Sequence, residues 1–169
     1  MLNEGENLMA RKIFLSFHYQ ADHWRVSQIK QIGSIEEQPL LSSNKWEEVE
    51  KGGEAAIKAW IDEQLKGKSC LVVLIGAKTA GRKWVEYEIK KAWDDGKGVL
   101  GIHIHNLLDN SQKQSSKGAN PFIGFKVGDK PLTTWAKTYD PASTDSKQVY
   151  KNISENIESW IEEAIRLRK

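Results

Sequence analysis

The sequence predicts an α/β fold in which helices flank a central parallel sheet. One observation is the stretch Cys70–Ile75, a continuous apolar run rich in β-branched residues. Strands that are buried on both faces of a parallel sheet have this composition. The other observation is that strand-like and helix-like patterns alternate from residue 12 to residue 105, which is typical of a doubly wound parallel sheet.

The composition predicts one compact domain without an affinity for nucleic acid or membranes. At 169 residues the chain fits a single domain, which we place at residues 11–169, after a polar and disordered tail at residues 1–10. With 25 basic and 23 acidic residues, the net charge of +2 indicates neither nucleic acid nor a membrane surface as a partner. The tail does not resemble a signal peptide, and no apolar run approaches 18 residues. Cys70 is the single cysteine and lies in an apolar strand, so we expect a cytoplasmic protein.

The first third of the chain contains one clear strand and one less regular helix. Residues 12–17 form the predicted first strand. Asp22 is a good N-cap for a helix over residues 23–32, which Gly33 would end. An edge strand over residues 34–41 is allowed, but Pro39 restricts it to the edge of the sheet.

The middle of the chain has the clearest patterns. A helix over residues 54–65 has a continuous apolar face. The strand that ends at Ile75 follows, then a helix over residues 79–94 and a strand over residues 99–105. A glycine pattern at residues 96, 98 and 101 matches the dinucleotide fingerprint by letter. It leads into a strand rather than out of one, so we interpret it as a turn and a tight strand.

The last third begins with a long polar connection, residues 106–130, which is functional or disordered by its length. Residues 121–125 suggest that the end of this loop docks on the body of the domain. Residues 133–139 supply a last strand, and residues 145–167 form a closing helix with a strong apolar stripe. The five strands predict a flavodoxin-like sheet in the order 2-1-3-4-5.

Polar residues at the carboxyl ends of the strands are the candidate site, because ligands of open α/β sheets bind there. Ser16, Phe17 and His18 end the first strand, next to the third strand at the switch point. Glu86 and Glu88 lie in the first turns of the helix that follows the third strand. Glu86 has Lys90 four residues later, which favours a solvated surface pair.

Glu88 shares a helix face with Trp84, one turn earlier. This pair suits a flat ligand with hydroxyl groups, but a solvated glutamate beside an edge tryptophan remains an alternative. Trp46 is either a core anchor or a platform for a nucleotide ring. His103 and His105 lie on one face of a strand, and two histidines are too few for a metal site, so we expect no bound metal.

Several stretches resemble TIR domains. The segment from Trp84 to Glu88 is similar to the Trp-x-x-x-Glu signature of enzymatic TIR domains, and residues 12–19 resemble their first strand. Four stretches together resemble the TIR-like ThsB proteins of the Thoeris antiphage system, in the family's order. These are residues 14–20, 73–76, 101–104 and 120–122. The resemblance covers roughly residues 11–125 and fades after Phe125.

The resemblance implies an NAD-cleaving enzyme of antiphage defence that makes a cyclic ADP-ribose isomer or an ADP-ribose conjugate. Glu88 would be the catalytic residue. Ser16, Phe17, His18, Trp46 and Trp84 would bind the substrate. NAD would be the substrate, without a further cofactor. A diffusible nucleotide messenger would reach a separate effector protein, a phage-derived trigger would start the reaction, and a homo-oligomer would complete the site through residues 41–51.

Two other functions remain open from the sequence. A non-catalytic TIR-like interaction or scaffold module would have the same fold without the chemistry. A nucleoside ribosyl hydrolase or transferase would act on free nucleosides instead of NAD. A substrate assay separates the three.

Overall fold

The computed structural model describes residues 11–33, 35–37 and 48–169. Within this part, five parallel strands form the central sheet: β1 (Arg11–Ser16), β2 (Ile35–Glu37), β3 (Cys70–Ile75), β4 (Gly98–His103) and β7 (Lys137–Tyr139). Their order is β2-β1-β3-β4-β7, and every pair is parallel. The predicted parallel α/β fold and its strand order are therefore confirmed, although β2 and β7 contribute only three residues each.

Within the described residues, the helices that flank the sheet are α1 (Tyr19–Ile29), α2 (Gly53–Leu65), α3 (Lys83–Asp94) and α4 (Ser146–Arg166). One core cluster packs α1 and α4 against the even side chains of β3, Cys70, Val72 and Leu74. The other packs α2 and α3 against its odd side chains, Leu71, Val73 and Ile75. Since successive side chains of a strand point to opposite faces, one apolar run supplies both cores.

Two helices begin at other residues than the sequence predicted. The predicted start of α1 at His23 with an Asp22 cap is wrong, because the helix begins at Tyr19 and Asp22 is buried inside its first turn. The predicted start of α3 at Thr79 is also wrong. Residues 76–82 form a turn in which Gly81 has φ +82°, and the helix begins at Lys83.

The long connection contains structure that the sequence did not predict. A short antiparallel hairpin joins β5 (Lys126–Val127) and β6 (Lys130–Pro131), and a 3₁₀ turn, Leu132–Thr134, precedes β7. The predicted strand over residues 133–139 is therefore too long. The predicted docking of residues 121–125 is confirmed, since Phe122 is fully buried in the α2/α3 core.

Close packing explains why β4 contains glycine at two positions. A Cβ on Gly98 would meet the α4 backbone at Ala164 at 2.9 Å, and a Cβ on Gly101 would meet the side chain of Ile75 at 2.8 Å. The interpretation of the 96–101 pattern as a turn and a tight strand is therefore confirmed. Within the described residues, none of the helices is both long and apolar enough to span a bilayer.

The prediction of a disordered tail at residues 1–10 lies outside the described residues, as does Trp46. The same holds for Ser34 and residues 38–47, which include most of the predicted edge strand and of the segment expected to complete the site.

Candidate active site

Glu88 lies on the inner face of α3, between one and two turns after the helix begins at Lys83. Val85, Ile89 and Ala92 form the buried stripe of the helix, and Glu88 is buried beside them with only 8% of its surface exposed. Glu86 is exposed, as the sequence predicted. The alternative of a solvated Glu88 is wrong. The buried face of α3 extends to Glu88 because Ser16, at the end of β1, packs against its carboxyl group.

Ser16, the last residue of β1, is the hydrogen-bond partner of Glu88. Its hydroxyl donates to Glu88 Oε1 over 2.6 Å, and both side chains are buried. Burial raises the pKa of Glu88 to about 8, although the hydrogen bond from Ser16 opposes this shift. A carboxyl group with a pKa above 7 is mostly neutral at neutral pH, which is unusual enough to indicate a functional position.

Phe17 and His18 follow Ser16 in the chain, and in the described structure neither forms a hydrogen bond with Ser16 or Glu88. Phe17 packs against the α1/α4 core, on the other side of the sheet from Glu88, and its ring lies 6.2 Å from that of Tyr19. His18 is half-buried, and burial together with the positive charge of Arg82 lowers its pKa. His18 therefore lies between the start of α1 and the turn that precedes α3.

Trp84 packs in the layer of α2 and α3. Its ring meets Tyr87 edge-on at 5.9 Å, and the ammonium group of Lys83 lies 5.1 Å from the ring centre. Tyr87 in turn donates a hydrogen bond to Asp62 of α2. Of the predicted site residues, the described structure brings Ser16 and Glu88 into direct contact.

His103 and His105 are buried at the end of β4, with ring centres 5.8 Å apart. The Nδ1 atom of each ring finds no hydrogen-bond partner within the described residues. Burial lowers the pKa of both imidazoles, which keeps them neutral at pH 7. Among residues 11–33, 35–37 and 48–169, no three metal-ligating side chains are grouped to hold an ion.

A buried ion pair that the sequence analysis missed holds the long loop at this edge of the sheet. Arg25 Nη1 donates to Asp22 Oδ1 over 2.8 Å, and two further guanidinium nitrogens donate to the carbonyls of Leu107 and Lys113. The spacing of Asp22 and Arg25, three residues apart in one helix, was the available signal.

Two glycines, one in the turn after β3 and one in the long loop, allow close packing at the end of β3. A Cβ on Gly76 would lie 2.1 Å from the Asp22 carboxylate, and a Cβ on Gly118 would lie 2.0 Å from the Gly76 carbonyl oxygen. The backbone therefore runs over the strand end in direct contact with it. The packing there is too close for any side chain larger than that of glycine.

The fold and site together define a flavodoxin-like α/β protein with a buried carboxyl group at the carboxyl edge of its sheet. That class includes the TIR-like domains that the sequence motifs resemble. The family model of the Thoeris protein ThsB, TIR-like domain, matches residues 14–109, which is more than half of the chain. The chain belongs to this family.

A curated relative from Bacillus cereus (strain MSX-D12) carries the name "Putative cyclic ADP-D-ribose synthase ThsB1". It is 36% identical over 130 residues, and the match covers 70% of this chain. The chain spans 65% of the length of that relative.

Proposed function

We propose that this protein cleaves NAD at the bond between ribose and nicotinamide. The observation that carries the proposal is the buried pair of Glu88 and Ser16 at the carboxyl edge of the sheet. A carboxylate there can accept hydrogen bonds from the ribose hydroxyls and stabilise the positive charge that develops on the sugar, as carboxylates do in glycoside cleavage. The name of the Bacillus cereus relative supports this choice of substrate.

The chemistry needs little beyond this carboxylate. The nicotinamide nitrogen is already cationic, so it leaves as a neutral molecule with the electron pair of the broken bond. No general acid and no Lewis acid is required for that departure. We therefore propose NAD as a substrate with no further cofactor or metal.

The product depends on which nucleophile captures the ribosyl cation. Capture by a ribose hydroxyl or an adenine nitrogen of the same molecule, with loss of its proton, gives a cyclic ADP-ribose isomer. Capture by water gives linear ADP-ribose, and capture by a second small molecule gives a conjugate. We propose the cyclic isomer or a conjugate as the product, since the burial of Glu88 and Ser16 limits the access of water to a cation held beside them.

The biological role that follows is antiphage signalling within the Thoeris family. The product would act as a diffusible messenger on a separate effector protein, and a phage-derived trigger would start the reaction. Phe17, His18, Trp46 and Trp84 would shape the pocket around the nucleotide.

The test is incubation of the purified protein with NAD, followed by separation and mass analysis of the products. We expect free nicotinamide and a species one water lighter than ADP-ribose, or an ADP-ribose conjugate. EDTA should leave the rate unchanged. Glu88→Gln keeps the shape and removes the charge, so NAD loss should fall by roughly 100-fold or more.

The matched control is Glu86→Gln, on the exposed face of the same helix, which should keep most of the activity. Equal NAD loss by wild type and Glu88→Gln would contradict the proposal and favour a scaffold module. Cleavage of free nucleosides instead of NAD would favour a ribosyl hydrolase. Formation of linear ADP-ribose alone, with a trigger present, would contradict the proposed messenger and indicate a plain NAD hydrolase.

A further inference from the structure

Glu88 has no counter-ion in the described structure. Its one recorded partner is the neutral hydroxyl of Ser16. No lysine, arginine or histidine of residues 11–33 or 48–169 lies within ion-pair distance of its carboxyl group, and none acts on it electrostatically. A buried carboxylate without a cation is costly, which favours the neutral form of the group.

Of the cations near this edge of the sheet, Arg25 and Lys83 are paired with other carboxylates, and Arg82 and Lys78 act on His18 rather than on Glu88. Arg25 is held by Asp22 and two carbonyl groups. Lys83 pairs with Glu54 of α2, and Arg82 donates to the carbonyl of Lys78. A positive charge that arrives from outside the described part of the chain would therefore favour the ionisation of Glu88 below about pH 8.

One oxygen of Glu88 is available to that charge. Ser16 donates to Oε1, whereas Oε2 accepts no hydrogen bond from the described residues and is not among the fully buried unpaired atoms. A ligand that enters from the carboxyl edge of the sheet can meet Oε2 while Ser16 holds the carboxyl plane.

We propose that the cationic ring of the ligand is the counter-ion that Glu88 lacks, so that the site selects the oxidised dinucleotide over its neutral, reduced form. Binding of the cation expels one proton from the carboxyl group to solvent, and the neutral ring of NADH leaves that proton in place. This inference rests on the proposed function for the identity of the ligand. It goes further by making charge, rather than shape, the basis of selection.

The experiment compares two ligands that the protein cannot cleave at this bond. One is carba-NAD, in which a methylene group replaces the ring oxygen of the nicotinamide ribose and the ring stays cationic. The other is NADH. Dissociation constants are measured by calorimetry from pH 6 to pH 9, in two buffers of different ionisation enthalpy.

With the pKa of Glu88 at about 8, carba-NAD binding should tighten by about a hundredfold from pH 6 to pH 9, since each pH unit below the pKa weakens it about tenfold. About one proton should be released per site at pH 6. NADH binding should change little over this range and should release none.

The controls locate the effect. Glu88→Gln should abolish the pH dependence for carba-NAD, whereas Glu86→Gln should retain it. Equal pH profiles for the two ligands, or no binding of carba-NAD at any pH, would overturn the inference.

The proposed function and the proposed charge selection can be contradicted independently. If wild type cleaves NAD and Glu88→Gln does not, but both ligands bind with equal pH profiles, the proposed function stands and charge selection fails. If NAD is not cleaved but carba-NAD shows the pH-dependent preference, selection for a cation stands and the enzyme assignment fails.

Discussion

At the scale of single residues, the central fact is a carboxyl group kept in its neutral form. Glu88 of α3 is buried against the end of β1, and its one hydrogen bond in the described structure comes from a group without charge. The two proposals assign different consequences to this arrangement. The catalytic proposal uses the ionised form of Glu88, and the selection proposal explains how the ligand produces it.

The stability of the folded protein should depend on pH through Glu88. Its pKa is raised from 4.5 in a free carboxyl group to about 8 in the folded protein. The folded state therefore holds a proton that the unfolded state releases. This stabilisation is full below pH 4.5 and is lost as the pH rises to about 8. The slope is at most about 1.4 kcal/mol per pH unit.

Urea denaturation of wild type and Glu88→Gln from pH 5 to pH 8 measures this effect, because other titrations cancel in the difference. We expect the free energy of unfolding of the wild type to fall relative to that of Glu88→Gln across this range. A difference that stays constant from pH 5 to pH 8 would contradict the raised pKa.

At the scale of elements, the connection between β4 and β7 is anchored at several points. Gln28 of α1 donates to the carbonyl of Leu108, and Gln114 donates to the carbonyl of Thr144. Lys117 pairs with Asp140. Gly118 lies against the Gly76 carbonyl at the end of β3. The connection is therefore packed against the carboxyl end of β3, beside the candidate site.

Gly118→Ala should destabilise the fold. Its Cβ would lie 2.0 Å from a main-chain oxygen that cannot move aside, so the loop must shift. We expect a loss of about 1–3 kcal/mol in the free energy of unfolding. Gly33→Ala is the matched control, because nothing lies within 4 Å of the added Cβ, and it should change the stability by less than about 1 kcal/mol. Equal stability of the two variants would argue against a packed contact at Gly118.

At the scale of the whole molecule, one sheet carries two cores, and the site opens at its carboxyl edge. The family resemblance implies that residues 41–51 of a neighbouring subunit complete such a site. We therefore expect the specific activity for NAD loss to rise with protein concentration, or on addition of a trigger that promotes assembly. Activity over a broad dilution series, with the mass in solution measured by light scattering, tests this. A constant specific activity from a protein that is monomeric throughout would contradict it.

Much of the fold was predictable because its signals are local. The apolar run Cys70–Ile75 and the stripe of α4 depend on neighbours within a few turns, and both elements lie close to their predicted positions. The starts of α1 and α3 were not predictable in this way. Asp22 has the local chemistry of an N-cap, but its ion pair with Arg25 and its contact with Gly76 outweigh that preference.

By itself, the sequence determined the α/β class, the order of the elements and the edge of the sheet where we propose that a ligand binds. Only the tertiary structure decided whether Glu88 is solvated or buried, since helical spacing places it at the margin of the apolar stripe. It also decided that Ser16 contacts Glu88. The two residues are 72 positions apart, and their contact depends on how α3 packs across β1 and β3. Local periodicity sets which residues face the core, whereas long-range packing sets which of them meet.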